Sequence, residues 1–373
     1  MAMPSVSPPV ASLAPTGHIR RPRVGIVGPY PPPYGGISVG IQRLGRHLAA
    51  NGVDFHIYSE TGADVPGERV TGFAGARRLL ARLFSAGPSH ILHYQSPDWR
   101  MRCLVALWGM VTGRKSLISI HGQSYDYSMR GGPLQRALIR FFLRRTSAVI
   151  ACNPGIEARV RAEAGPAVMV RMIPAFLPPP LDEAGLPLPA ELEAFLGAHS
   201  PVVLWVGWSR LLEGRDLYGL DHTLRLAGRL RKRFPGLGCV LWFSGVEDAA
   251  HWDRLWDEAG RADLRDSVFV GRGGLPEIHP LFRRADVYVR PTVSDGDSVS
   301  VREALALGTP VVASDAAPRP GACVTYRTGD ADALERAVLG VLEDVGAARA
   351  RVRREPVEDN GGKILDLYRE LGL

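Results

Sequence analysis

Arg290-Pro291-Thr292-Val293-Ser294-Asp295-Gly296-Asp297-Ser298-Val299-Ser300-Val301-Arg302-Glu303-Ala304-Leu305-Ala306-Leu307-Gly308-Thr309-Pro310-Val311-Val312-Ala313-Ser314-Asp315 decides the fold. An apolar, β-branched run, Val287–Val289, ends just before it and reads as a strand. An acidic loop containing Gly296 follows. Ser298 then suits the N-cap of a helix over Val299–Leu307, and Gly308 stops that helix. Val311–Ala313 is apolar and β-branched again. A strand, a helix and a second strand in this order form a βαβ unit, which requires a parallel sheet. Asp295 lies in the loop before the helix and Glu303 within its first turn or two, eight positions on. Both carboxylates can therefore face one cleft beyond the strand ends.

The same alternation extends in both directions. Upstream, strand signals fall at Val24–Val27, Phe55–Tyr58, Ile91–Tyr94, Leu117–Ile120, Val149–Cys152 and Val168–Ile173, with helix-length segments such as Ile37–Ala50 and Leu134–Arg145 between them. A proline-rich break runs from Pro174 to Pro201, with Pro178, Pro179 and Pro180 in succession. The pattern then restarts at Val202–Val206, Val240–Phe243 and Val268–Val270, and closes with Val324–Tyr326. Near-continuous apolar strands suit sheets covered on both faces. The expectation is an α/β protein of two Rossmann-like, doubly wound parallel-sheet domains facing a central cleft. Its parts are a disordered leader (1–21), a first domain (22–175), a linker (176–200), a second domain (201–355) and a C-terminal helix (356–373) that can pack back on the first domain.

The 373 residues suit two domains. Hydrophobic residues make up 46% and charged ones 22%, enough for native cores and against general disorder. The four cysteines are widely separated, which argues against a disulfide scaffold or zinc module and fits a reducing, cytoplasmic compartment. No apolar window approaches the length of a membrane span; Cys103–Thr112 reads as a core helix. Charge is uneven. Residues 1–175 hold 21 Lys and Arg against 8 Asp and Glu, a surplus of 13, whereas the rest holds 24 against 30. A basic first half points to nucleic acid, an anionic membrane or an anionic substrate, or simply to arginine-rich composition. No nucleic-acid module accompanies the charge, so nucleic acid is not expected as a partner.

Several strand-end loops carry candidate chemistry. Gly28-Pro29-Tyr30-Pro31-Pro32-Pro33-Tyr34-Gly35-Gly36 leads from the first strand into a helix with Ile37, Ile41, Leu44 and Leu48 on one face. Gly35 and Gly36 let backbone N–H groups approach a ligand, and the helix offers its positive end to phosphate. A plain turn explains the same pair. His121, in Ser119-Ile120-His121-Gly122-Gln123, sits at a strand's carboxyl end; it faces the cleft or is a satisfied interior histidine. His93 is read as structural. Arg210, after Trp205-Val206-Gly207-Trp208-Ser209, can clamp phosphate or form a surface ion pair.

Taken together, these residues resemble the family 4 retaining glycosyltransferases of GT-B fold. That family carries an acidic-x7-Glu motif followed by Gly-Thr-Pro-Val-Val. Here Asp295 and Glu303 hold the motif ends, and Gly308-Thr309-Pro310-Val311-Val312 is intact. The Pro-x-x-Gly-Gly loop and the strand ending His-Gly also match, in the family's order, across about residues 22–345. The resemblance implies transfer of a sugar from a nucleotide diphosphate donor with retained configuration. It implies that Gly36 contacts the diphosphate, His121 lies near the reaction centre, Arg210 binds the diphosphate, Asp295 contacts the transferred sugar and Glu303 takes the ribose hydroxyls. Backbone N–H groups around Asp297, Ser298 and Val299 add phosphate donors.

Three departures stand out. Asp295 replaces the usual Glu, and Asp297-Ser298 replaces the usual Phe-Gly, bringing a negative charge toward the diphosphate. The usual phosphate-binding Lys is missing, with Tyr218 in its place, and Arg210 or Arg215 is expected to supply the cation. The sequence is read as holding no Asp-x-Asp motif, so no divalent metal is expected, and no cofactor is expected either. The donor is taken as a UDP-sugar, with GDP-mannose next. The acceptor is taken as a glycan or lipid-linked acceptor in cell-surface polysaccharide or glycolipid synthesis, reached with peripheral contact to an anionic membrane at its inner face. The basic amphipathic segments Ala76–Phe84 and Leu134–Arg145 are the candidate contacts. A same-fold sugar-nucleotide epimerase or phosphorylase, and an inactive nucleotide-binding partner of another transferase, are the rival readings.

Overall fold

The computed structural model describes residues 23–373, apart from 63, 67, 86–88, 123, 180–185, 274 and 276. The expected leader lies outside the described residues. Seven parallel strands form the first sheet: β1 (Val24–Gly28), β2 (Phe55–Ser59), β3 (Val70–Gly72), β4 (Ile91–Tyr94), β5 (Lys115–Ile120), β6 (Ala148–Ala151) and β7 (Met169–Met172), in the order β3-β2-β1-β4-β5-β6-β7. The second sheet contains β8 (Val202–Ser209), β11 (Gly238–Val246), β12 (Val268–Arg272), β13 (Val287–Arg290), β14 (Val311–Ser314) and β15 (Val324–Tyr326), in the order β12-β11-β8-β13-β14-β15 and again parallel. A small antiparallel hairpin, β9 (Leu211–Leu212) with β10 (Arg215–Asp216), follows β8. In both sheets the strand order reverses beside the first strand, between β1 and β4 and between β8 and β13. Open α/β sheets bind ligands at such switch points. The fold is the expected two-domain doubly wound α/β architecture.

Local sequence explains the elements that frame the cleft. In helix Gly36–Ala50, Ile41, Leu44 and Leu48 fall on one face and are fully buried against β1 and β2. Each such side chain contributes about 1.5–3 kcal/mol by leaving water. Helix Val299–Ala306 is capped by Ser298, whose Oγ accepts from the Val301 amide, and Gly308 ends it at φ +77°. Only glycine adopts that angle without cost.

One segment crosses the expected divisions, and the C-terminal helix packs on the first domain. Leu192 and Leu196 of helix Ala190–Ala198, inside the expected linker, pack with Leu204, Val240 and Tyr288 in the second domain's core. Helix Asn360–Glu370 buries Ile364, Leu365, Leu367 and Tyr368 with Val24, Ile26 and Leu44 in the first domain's core. Asn360 Nδ2 donates to the Phe176 carbonyl at 2.9 Å, fastening the tail beside the end of the first domain. Among the described residues no helix is long and apolar enough to cross a membrane.

Candidate functional site

A cleft of about 550 Å³ opens between the carboxyl ends of the two sheets. The loop Pro32–Gly36, His121 and Gly122 line it from the first domain; Trp208, Tyr218, Arg290, Asp295 and Glu303 line it from the second. The domains meet directly at its floor. A Cβ on Gly36 would lie 3.5 Å from Val299 Cγ2, so the N-termini of helices Gly36–Ala50 and Val299–Ala306 converge on one point. Backbone N–H groups and the positive ends of both dipoles therefore face the same space, an arrangement suited to an anion. Gly122 and Gly296 touch backbone to backbone, and a Cβ on Gly296 would run into Gly122. Asn153 Nδ2 donates to the Gly296 carbonyl at 3.3 Å, and the Ala175 amide donates to Asp297 Oδ2 at 3.1 Å.

His121 faces the cleft, and its Nε2 has no partner among the described residues. Burial, with the Arg102 charge nearby, pulls its pKa down to about 4, so the ring is neutral near pH 7. His93 is fully buried: Nδ1 lies 2.6 Å from the Tyr368 hydroxyl and Nε2 2.7 Å from Ser119 Oγ. It joins the C-terminal helix to the first sheet, and burial lowers its pKa to about 3.

Asp295 lines the cleft between two arginines. Its Oδ2 lies 2.9 Å from Arg319 Nη1 and 3.4 Å from Arg290 Nε. Burial opposes its charge, yet the two guanidiniums prevail and hold the carboxyl below the usual aspartate range. Asp297 also lines the cleft, but it is engaged by Arg302 Nε at 2.6 Å and by the Ala175 amide. The negative charge expected beside the diphosphate is thus spent on an ion pair and a domain contact. Burial still raises its pKa. Glu303 receives Arg43 Nη2 at 2.8 Å, and the same atom reaches Glu277 at 2.6 Å. Burial raises the Glu303 pKa against the pull of Arg43.

Of the expected residues, Gly35, Gly36, His121, Asp295, Asp297, Ser298, Val299 and Glu303 come together in the cleft lining. Arg210 and Arg215 do not. Arg210 is exposed and pairs with Glu247 at 3.2 Å, and Arg215 is exposed on the β9–β10 hairpin. Neither residue, each expected to supply the cation, is part of the cleft lining. Among the described residues, the cations in the lining are Arg43 and Arg290, set against Glu277, Asp295, Asp297 and Glu303. Arg290 carried a signal of its own, a charge closing an otherwise apolar strand. Arg43 and Glu277 gave none, because their pairing is made only across the cleft.

Asp295-Gly296-Asp297 has the spacing of a metal-binding Asp-x-Asp triplet, which corrects the expectation that the sequence holds none. Both carboxylates are occupied by arginines, and among the described residues no group of three or more His, Cys, Asp or Glu could hold a metal ion.

Comparison with known proteins agrees with this geometry. Residues 34–178 match the profile described as Glycosyltransferase Family 4, and residues 200–344 match Glycosyl transferases group 1. Glycogen synthase of Mycobacterium tuberculosis is 32% identical over 142 residues, covering 36% of this chain and 33% of that protein. The lipopolysaccharide core biosynthesis mannosyltransferase LpcC of Rhizobium leguminosarum bv. viciae is 34% identical over 111 residues, 28% of this chain and 31% of that protein. The matched part thus spans about a third of the length of these curated relatives. Among solved structures, sucrose-phosphate synthase from Thermosynechococcus elongatus superposes with a TM-score of 0.70 at 19% identity, over 94% of this chain and 99% of that one. Anabaena HepE in complex with UDP and glucose gives 0.69 at 14% identity, over 93% and 100%.

Proposed function

The chain belongs to the family 4 glycosyltransferases of GT-B fold, and from that premise we propose that it transfers a sugar, with retained configuration, from a nucleotide diphosphate donor to a glycan or lipid-linked acceptor. The observation that carries this reading is the convergence of two helix N-termini at Gly36 and Val299, inside a cleft that also presents Glu303 and His121. The diphosphate sits where the dipoles meet. Glu303 accepts from the ribose hydroxyls, and Asp295 and His121 face the transferred sugar. UDP is the favoured nucleotide, by likeness to a fold neighbour described with UDP and glucose.

The reaction needs a site that stabilises a departing nucleotide diphosphate and an oxocarbenium-like sugar while excluding water. Fixed N–H donors meet the first need without reorganisation. His121 is neutral, so it can donate or accept one hydrogen bond at the sugar without adding charge. Among the described residues of the lining, each carboxylate is engaged by arginine, Asp295 by two, so none stands as a free nucleophile. The departing β-phosphate is then the base for the acceptor hydroxyl. Neither a divalent metal nor a cofactor is required in this scheme. Domain closure over the cleft accompanies turnover.

The acceptor side is the first domain. Its neighbouring helices Trp99–Thr112 and Pro133–Leu143 leave Met110, Val111, Leu134, Leu138 and Phe141 exposed, and Arg145 lies over the Phe141 ring at 4.9 Å. Apolar side chains flanked by arginines fit the surface of an anionic membrane, the setting for a lipid-linked acceptor.

One observation favours a second reading, an inactive nucleotide-binding partner of another transferase: Tyr218 stands where the family has Lys, and four carboxylates share the lining with two arginines. The test is a thermal-shift panel of UDP, GDP and ADP with their sugars, with and without EDTA, followed by turnover of the sugar whose nucleotide binds. Saturation at about a hundredfold excess over Kd stabilises by about 2.7 kcal/mol. Binding with turnover supports the transferase. Binding without release of nucleotide, across acceptors, favours the partner reading. EDTA-sensitive turnover contradicts the metal-free scheme.

A further inference from the structure

We infer that Arg290 is the side chain that grips the donor diphosphate, with Arg319 neutralising Asp295 behind it. The inference rests on the donor reading above and names the cation that reading lacks.

Arg290 closes β13 and is one of the residues of the cleft wall. Nη1 donates to the Val206 carbonyl at 3.1 Å, and the group lies over the Tyr218 ring, 4.8 Å from its centroid. Tyr218 is thus the shelf for an arginine. The positive charge that the family places on a lysine there arrives instead from the neighbouring strand.

The local charges leave Arg290 available. Asp295 Oδ2 is closer to Arg319 than to Arg290, 2.9 Å against 3.4 Å. Arg319 is 2% exposed, is not part of the cleft wall, and also donates to the Ser314 carbonyl and Thr292 Oγ1. Two guanidiniums and one carboxylate leave a single positive charge, and Arg290 is the member that faces the cleft.

Arg290 also stands beside the helix whose N-terminus enters the site. Tyr288, two residues earlier on the same face of β13, has its hydroxyl 2.7 Å from Ser300 Oγ in the first turn of helix Val299–Ala306. A cation next to the positive end of a helix is unfavourable unless an anion lies between them. Asp295 is one such anion, and a diphosphate is a second. The planar guanidinium fork can then take two phosphate oxygens at once.

The test is calorimetric titration of the full chain with UDP and uridine, and with GDP and guanosine in parallel. Arg290→Gln is expected to weaken the nucleoside diphosphate by about tenfold or more while leaving its parent nucleoside unchanged. Arg290→Lys recovers part of the loss, since charge returns without the fork. Asp295→Asn acts in the opposite direction and tightens the diphosphate, because it removes the competing carboxylate. An Arg290→Gln chain that binds the diphosphate as the parent does, or that loses nucleoside and diphosphate equally, overturns the inference. If Arg290→Gln fails to fold, Asp295→Asn decides: no gain overturns it. Failure of the parent chain to bind any nucleoside diphosphate overturns the donor reading itself, and is seen before any substitution is made.

Discussion

Arg43 Nη2, on the first domain, lies 2.8 Å from Glu303 Oε1 on the second. The same nitrogen reaches Glu277 at 2.6 Å, and all three side chains are almost fully buried. One arginine therefore joins the domains through the carboxylate that the family motif assigns to the ribose. Nucleotide binding must share Glu303 with Arg43 or displace it.

Replacing Arg43 by Leu takes the arginine from the buried Glu303 carboxylate and leaves Glu277 with Arg46, at 3.3 Å. A buried pair broken on one side costs about 3–5 kcal/mol. Denaturant unfolding is expected to show a loss of that size, with the domains further apart in solution scattering. Unchanged stability and shape would mean that the Glu303 carboxylate is neutral in the folded chain.

Glu303→Gln keeps a hydrogen-bond acceptor for Arg43 but loses the charge. The fold should survive, whereas affinity for a nucleoside diphosphate should fall by roughly tenfold, as expected when a charge-assisted hydrogen bond is lost. The corresponding 2′,3′-dideoxynucleotide should bind both chains alike. Equal losses for both ligands would remove the ribose role.

Gly296→Ala tests domain contact. The added methyl would meet the Gly122 backbone across the floor of the cleft. Each domain keeps its own core, so the melting temperature should change little while turnover drops by about tenfold or more, because positioning in the closed state is lost. Full activity would show that the two glycines need not touch during turnover.

Acid stability follows from His93. Its folded pKa, about 3, is depressed from the model-peptide value of 6.5 by burial. The neutral ring is favoured by folding, so its contribution is fully present above pH 6.5 and is lost as pH falls toward 3. Linkage puts the loss at about 2 kcal/mol by pH 5. His93→Gln should flatten that part of the stability curve, and an unaltered acid limb would place the proton elsewhere.

Phe141→Glu should reduce co-sedimentation with phosphatidylglycerol vesicles by several-fold at low salt. Added salt should release the parent chain, since exposed charges are screened within about 10 Å at 0.1 M. Binding that survives high salt would reject the electrostatic form of membrane contact.

The sequence by itself determined the two parallel sheets, because apolar β-branched runs alternating with helix-length segments leave no other way to bury both faces of each strand. It also picked out most of the expected residues that line the candidate cleft. Gly36, His121, Asp295 and Glu303 sit at strand ends or in the first turns of helices, where chain connectivity alone aims them at the cleft. Helix Ala190–Ala198 was hidden by the prolines around it, and its leucines acquire a purpose only against the second sheet. Tertiary structure alone decided which arginines line the cleft. Arg210 and Arg215 follow a strand as a phosphate clamp should, but both are exposed and outside the cleft lining, and Arg210 pairs with Glu247. Arg43 and Arg290 do face the cleft, because their partners, Glu303 from the opposite domain and Asp295 with Arg319 behind it, draw them inward. A charge takes its direction from the groups that compensate it, and those groups are neighbours in space rather than along the chain.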